Sequence, residues 1–298
     1  MRITPLIYLA LTTLSTVAAE TISFPAPNNL TLSGEWFPAK APPAPAVILA
    51  HGCAGLYGTQ NTIHPRDAAM VEYLNERGYS VLMVDSFRPR GMKEICTTPI
   101  SKRTISPTDR ANDLYAGLEW LTKRPDVDGK RVGLLGWSNG GSTTLRTIGQ
   151  NRPASSARFA AAISFYPGCA GPAESGFTPT APLLILIGAE DDWTPAAPCQ
   201  KLVEQYGKKQ PPIELVSYPN TWHDFDNPML KAKRLRSDVP NGVRPGSGVT
   251  LAPNPEAARD AWQRTAEWLG RWMPAPHAAA PAPDLHTMPA PIASKAKP

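Results

Sequence analysis

Arg131-Val-Gly-Leu-Leu-Gly-Trp-Ser-Asn-Gly-Gly141 is the stretch whose reading decides the fold. An apolar run, Val132 to Leu135, ends in Gly136-Trp137-Ser138-Asn139-Gly140, and helix-compatible residues follow to about Gly149. This is the G-x-S-x-G pattern. A serine that stands exposed at the top of a strand requires a sharp turn from strand into helix. The flanking residues must then lack side chains so that strand and helix can approach. Three matching residues alone are a weak signal; the strand before them and the helix after them supply the context that the motif needs.

Working outward, the chain alternates apolar strands with helical patterns. Residues 46–50 are a continuous apolar run, and 79–84, 159–165 and 183–187 are further predominantly apolar strands, as expected of strands covered on both faces. Residues 213–217 read as a further strand. Between them lie helical patterns at 67–77, from Ser106-Pro107 through Leu121, and at 197–207, with a closing amphipathic helix at 256–272. Ser106, Pro107 and Asp109 together form an N-cap signature. Residues 21–37 read as an antiparallel hairpin at a sheet edge, turning through residues 25–29. Residues 85–105 read as a long loop, and 225–254 as a polar, proline-broken insertion. The expectation is an α/β fold with a mostly parallel, doubly wound sheet.

Of the 298 residues, 42% are hydrophobic, enough for a sizeable core. The net charge of +5 is spread along the chain, and no arginine-aromatic stripe points to nucleic acid. Met1-Arg2, the apolar stretch Leu6 to Val17 and the small residues Val17-Ala18-Ala19 read as a signal peptide cleaved before Glu20, the retained anchor being the alternative. The apolar stretch is too short to span a bilayer as a mature helix. The mature domain is then residues 20–273, exported to the periplasm or beyond. Residues 274–298, rich in Pro and Ala, read as a disordered tail. Four cysteines, Cys53, Cys96, Cys169 and Cys199, form an even set that suits two disulfides in an oxidising compartment. Three connectivities are possible. The inferred strand order favours Cys53 with Cys96 and Cys169 with Cys199, because each pair follows neighbouring strands. Free thiols or a zinc site are the poorer alternatives, as C-x-x-C spacing is absent.

A serine hydroxyl needs a positioned base, and the base needs a carboxylate. In an α/β sheet these should lie in loops directly after strands, in the order serine, acid, histidine. The loop after 183–187 is Gly188-Ala-Glu-Asp-Asp-Trp-Thr-Pro195, and the loop after 213–217 is Tyr218-Pro-Asn-Thr-Trp-His-Asp-Phe225. Ser138, Asp191 and His223 are therefore the candidate nucleophile, acid and base, with Asp192 competing for the acid role. The backbone N–H groups of Asn139 and Cys53 are the candidate oxyanion donors. Arg88, Arg90 and Trp137 are candidates for substrate contact.

His51-Gly-Cys-Ala-Gly-Leu56, Asp85-Ser-Phe-Arg-Pro-Arg-Gly91, the elbow and the two loops just quoted together resemble the dienelactone hydrolase family, from about residue 44 to 272. The resemblance implies an α/β-hydrolase fold with its nucleophile, acid and base at Ser138, Asp191 and His223, and it supports Asp191 over Asp192. Three departures stand out. Ser138 occupies the position where the name-giving enzymes carry cysteine. Gly52 lies near where they carry a glutamate, and Asp224-Phe-Asp-Asn227 replaces an arginine shortly after the histidine. The expected function is an exported serine hydrolase acting on a small carboxylic ester or lactone, with neither metal nor organic cofactor. An exported peptidase, lipase or polyester hydrolase with the same three residues, or a non-catalytic binding module, are the competing readings. The oligomeric state is left open.

Overall fold

The computed structural model describes residues 19–149 and 157–276. The expected signal peptide lies outside these residues apart from Ala19, and so does the expected tail beyond residue 276.

Eight strands form one sheet: β1 (Glu20–Ala26), β2 (Leu30–Phe37), β3 (Ala44–Ala50), β4 (Ser80–Asp85), β5 (Val127–Trp137), β6 (Ala161–Phe165), β7 (Leu183–Gly188) and β8 (Ile213–Tyr218). Their spatial order is β1-β2-β4-β3-β5-β6-β7-β8. The pairs β1/β2 and β2/β4 are antiparallel, and every other pair is parallel. This is the α/β-hydrolase fold, with the expected antiparallel hairpin at one edge. The hairpin differs in one detail. Its first strand runs on through Pro25 to Ala26, and the turn is confined to the three residues after it. A proline is tolerated there because β1 is an edge strand. Asn28 and Asn29 then adopt φ of 63° and 57°, a region that asparagine enters more readily than most residues.

The helices are α1 (Pro65–Glu76), α2 (Pro107–Thr122), α3 (Asn139–Ile148), α4 (Ala170–Ser175), α5 (Ala196–Tyr206) and α6 (Pro255–Trp272). The cap expected at Ser106 is a reciprocal capping box. Ser106 Oγ accepts from the Asp109 N–H at 3.0 Å, and Asp109 Oδ2 accepts from the Ser106 N–H at 2.9 Å. Two faces of β5 explain the layering. Gly133 leaves room for Leu269 and Met273 at the end of α6, whereas Gly136, three residues on, abuts Gly140 and Thr144 of α3. Side chains alternate along a strand, so α6 and α3 cover opposite faces. Helix α1 joins α6, Tyr73 Oη donating to the Trp262 carbonyl at 2.9 Å. Helix α2 joins α3, Tyr115 Oη donating to the Thr147 carbonyl at 3.1 Å.

Helix α4 escapes the sequence pattern because six residues are too few to establish a period. The insertion at 225–254 also contains structure not anticipated: β9 (Arg234–Arg236) pairs antiparallel with β10 (Val249–Leu251). Both expected disulfides are present, Cys53–Cys96 and Cys169–Cys199. No helix among the described residues is long and apolar enough to cross a membrane.

The topology also decides where a site can form. Strand β3 lies between β4 and β5, so the chain leaves β3 in one direction and returns past it to reach β5. The loops at the carboxyl ends of β3 and β5 diverge there and leave a crevice, the usual ligand position in such sheets.

Candidate active site

Ser138 sits at that crevice, between the end of β5 and the first residue of α3, with φ 53° and ψ −116°. An L-residue rarely adopts this conformation, and the strain persists only where the surroundings dictate it. They do so here. A Cβ on Gly136 would meet the Gly140 carbonyl, and one on Gly140 would meet the Ala50 carbonyl. Strand β3, strand β5 and α3 thus touch backbone to backbone, and the serine is the residue pushed outward. The Ser138 N–H donates to the Phe165 carbonyl at 2.9 Å, which ties the elbow to β6.

The acid and base loops meet beside it. The Glu190 N–H donates to the Thr221 carbonyl at 2.9 Å, and the Ala189 N–H donates to the Tyr218 carbonyl at 2.8 Å. Gly188 allows this contact, since a Cβ there would strike the Thr221 carbonyl. The zipped loops place His223 Nδ1 2.7 Å from Asp191 Oδ2 and His223 Nε2 2.9 Å from Ser138 Oγ. The Asp191 carboxylate accepts a hydrogen bond from Nδ1–H, which leaves the Nε2 lone pair facing the hydroxyl. Asp191 Oδ1 accepts from the N–H groups of Trp193 and Thr194 at 2.9 and 2.8 Å. Thr194 Oγ1 lies 3.1 Å from Asp191 Oδ2 and 2.9 Å from the Tyr166 carbonyl, steadying the acid loop against the end of β6. The imidazole is held between the rings of Tyr166 and Trp193, whose centroids lie 4.6 and 4.7 Å away. It can therefore turn little about its side-chain axis.

Asp192 does something else. Its carboxylate accepts from the Thr250 N–H and from Thr250 Oγ1, both at 2.8 Å, and so fastens β10 to the acid loop. Leu251, next along β10, bridges to His223.

Cys53 and Asn139 both line the cleft beside Ser138. Gly52 lies so near the elbow that its Cβ would stand 4.0 Å from Ser138 Cβ. His51 is buried, with Nδ1 2.8 Å from the Gly52 carbonyl and Nε2 3.3 Å from the Ser86 N–H. The first contact needs a proton on Nδ1 and the second a lone pair on Nε2, which describes a neutral imidazole. Burial, with the charge of Arg110 added, holds its pKa well below 6.5.

The three residues expected to touch substrate are engaged elsewhere. Arg90 forms two hydrogen bonds to Asp113, at 2.8 and 2.9 Å. The Arg88 guanidinium lies 3.7 Å from the centroid of the Tyr57 ring. Trp137 is fully buried and donates its indole N–H to Asp226 Oδ2 at 3.1 Å. Other arginines reach the cleft. It opens in two lobes that share Ser138, Cys53 and Trp193. One lobe, of about 250 Å³, includes Arg103, Asn139 and Ser142. The other, of about 280 Å³, includes Arg66, Asp224, His223, Arg234 and Arg236.

Arg66 is one of several residues that sequence reasoning did not single out. It donates to Asp224 Oδ1 at 2.7 Å, to Tyr166 Oη at 2.8 Å and to Asp67 Oδ1 at 2.7 Å. Burial lowers its pKa, but Asp67, Tyr166, Asp224 and Asp226 together outweigh burial and raise it above its ordinary value. Trp193 and Thr194 were open to detection, since they sit inside the acid loop. Arg66, Arg110 and Tyr166 reach the site from other elements, and no local pattern marks them.

An eight-stranded, mostly parallel sheet with a hydroxyl, an imidazole and a carboxylate in line at its carboxyl edge defines an α/β-hydrolase. More narrowly, the chain belongs to the dienelactone hydrolase family, whose model matches residues 34–273. A structure from Klebsiella pneumoniae, provisionally assigned as a dienelactone hydrolase, superposes with a TM-score of 0.67 at 20% identity, covering 87% of this chain and all of that one. The dienelactone hydrolase-like promiscuous phosphotriesterase P91, from metagenomic libraries, superposes at 0.65 with 17% identity, over 86% of this chain and 98% of its own. Among curated sequences, the uncharacterised protein YfhR of Escherichia coli O157:H7 is 31% identical over 137 residues, 45% of this chain and 43% of that protein. The chain spans less than half the length of the curated relatives it matches.

Proposed function

We propose that the protein is an exported serine hydrolase that cleaves carboxylic esters or lactones through an acyl-enzyme. The observation that carries this reading is the unbroken chain from Ser138 Oγ through His223 to Asp191, at 2.9 and 2.7 Å. His223 Nε2 takes the hydroxyl proton as Oγ forms its bond to the substrate carbonyl carbon, and the carbonyl π pair moves onto oxygen. The N–H groups of Asn139 and Cys53 stabilise that oxyanion. When the carbonyl re-forms, the bond to the alcohol oxygen breaks, and His223 returns the proton to the leaving alcohol. Water, deprotonated by the same imidazole, then releases the acid and restores Ser138. Asp191 stays ionised and stabilises the imidazolium that forms twice in each cycle. Two disulfides support export, since such bonds persist in oxidising compartments. Neither step calls for a metal or organic cofactor.

The test is covalent. A fluorophosphonate probe should label the purified protein at Ser138, and Ser138→Ala should abolish both labelling and turnover of short acyl esters. Ester turnover that survives in Ser138→Ala, with labelling elsewhere or nowhere, would overturn the reading.

A further inference from the structure

Arg110 takes no part in the steps above. It stands near the start of α2, directly after the Ser106–Asp109 capping box, and is buried. Its two terminal nitrogens both point at the cleft wall. Nη2 donates to the His51 carbonyl at 2.9 Å, and Nη1 donates to Asn139 Oδ1. The guanidinium lies 4.9 Å from the Phe87 ring centroid, and that ring meets the His51 imidazole edge-on at 4.5 Å. The buried carboxylates Asp85 and Asp113 offset part of its charge. Burial prevails over them and brings its pKa down to about 10, so it remains a cation at neutral pH.

The two groups it grips belong to different turns. His51 precedes Gly52-Cys53 at the end of β3, and Asn139 follows Ser138 at the end of β5. These are the turns whose N–H groups are read as the oxyanion donors, and the inference rests on that reading. A buried guanidinium is costly to desolvate, and a well-packed apolar side chain often substitutes for a buried ion without loss of stability. Packing alone therefore gives little reason for a cation here. A planar fork, however, holds two acceptors at a set spacing, which an ammonium cannot do. We propose that Arg110 is a positioning residue that sets the spacing of the Cys53 and Asn139 N–H groups, and through it the grip on the oxyanion.

The experiment compares a p-nitrophenyl ester with its thionoester in wild type, Arg110→Lys, Asn139→Ala and the double variant. Sulfur is larger and a weaker acceptor than oxygen, so a donor pair set for oxygen discriminates strongly between the two. In Arg110→Lys, kcat for the oxoester should fall about 10- to 100-fold, a fraction of what losing a whole donor costs. KM should stay within about threefold of wild type. The preference for oxoester over thionoester should shrink by about tenfold. The pH profile of kcat/KM should not move, because Arg110 makes no contact with His223 or Asp191. Asn139→Ala keeps its N–H and removes one anchor. It should show a smaller loss in the same direction, and the double variant should lose no more than Arg110→Lys alone.

A folded Arg110→Lys with wild-type kcat, or with reduced kcat and an unchanged oxoester preference, overturns the proposal. If Arg110→Lys does not fold, Asn139→Ala decides: wild-type kcat and preference would overturn it. Ser138→Ala separates the two readings. If it is inactive while Arg110→Lys behaves as wild type, the clamp falls and the serine mechanism stands. If it is active, both fall.

Discussion

Asp191 and Asp192 are adjacent carboxylates with divided duties, and the division is testable. Asp191 holds the His223 tautomer, so Asp191→Asn should lower kcat by about 10³–10⁴-fold with KM little changed. Asp192 holds Thr250, so Asp192→Asn should keep turnover within about threefold and lower unfolding stability by about 1–2 kcal/mol in urea titrations. The reverse pattern would exchange their roles. His51 carries a pH prediction. Its folded pKa lies well below 6.5, through burial first and Arg110 second. The unfolded chain takes up that proton near pH 6.5 while the folded protein resists it. The contribution is therefore complete above about pH 6.5 and is lost as pH falls below it, with a slope of about 1.4 kcal/mol per pH unit. Urea unfolding at pH 7.5 and 5.5 measures this, and His51→Gln should flatten that part of the curve. At this scale Ser138, Asp191 and His223 stood out as candidates because each lies at the end of a recognisable strand or in the loop that follows one. Arg110 was not, because a helical arginine carries no sign of which loops it will meet.

Elements obey local rules more closely. The N-cap at Ser106 was legible from Ser106, Pro107 and Asp109, and Ser106→Ala should cost about 1 kcal/mol, measured by chemical denaturation with turnover intact. Apolar runs identified most of the parallel strands because both faces of the sheet's centre are covered, so few polar residues interrupt them. Strand β1 ran past the expected turn because an edge strand can spare the N–H that Pro25 lacks. Helix α4 and the β9–β10 pair were hidden for a common reason. Each is too short to show a period; Asp192 fastens β10, and α4 begins directly after Cys169, which is bridged to Cys199 of α5.

For the whole molecule, the Cys53–Cys96 bridge closes a separation of 43 residues and joins the turn after β3 to the loop after β4. Replacing both cysteines by serine should lower stability by about 2–4 kcal/mol, read by thermal or urea unfolding under non-reducing conditions. Crowding at the elbow has a similar reach. Gly140→Ala would press a methyl onto the Ala50 carbonyl, where only backbone can yield. It should destabilise the fold by about 3 kcal/mol or more and reduce probe labelling of whatever remains folded.

The linear order of residues determined the fold class, the cysteine pairing that strand order favoured, and the serine, the histidine and the pair of aspartates from which the groups at the cleft are drawn. All of these follow from short-range rules: strand period, steric need at a turn, and the direction in which parallel strands end. Only the folded molecule decided which of two adjacent aspartates faces the imidazole, because a loop's side-chain directions depend on what packs against it. It also decided that Arg88, Arg90 and Trp137 look elsewhere while Arg66, Arg103 and Arg234 reach the cleft. The physical reason is the same throughout. A charged side chain settles where its burial and its partners balance, and partners such as Asp113 for Arg90 and Asp224 for Arg66 lie far away along the chain.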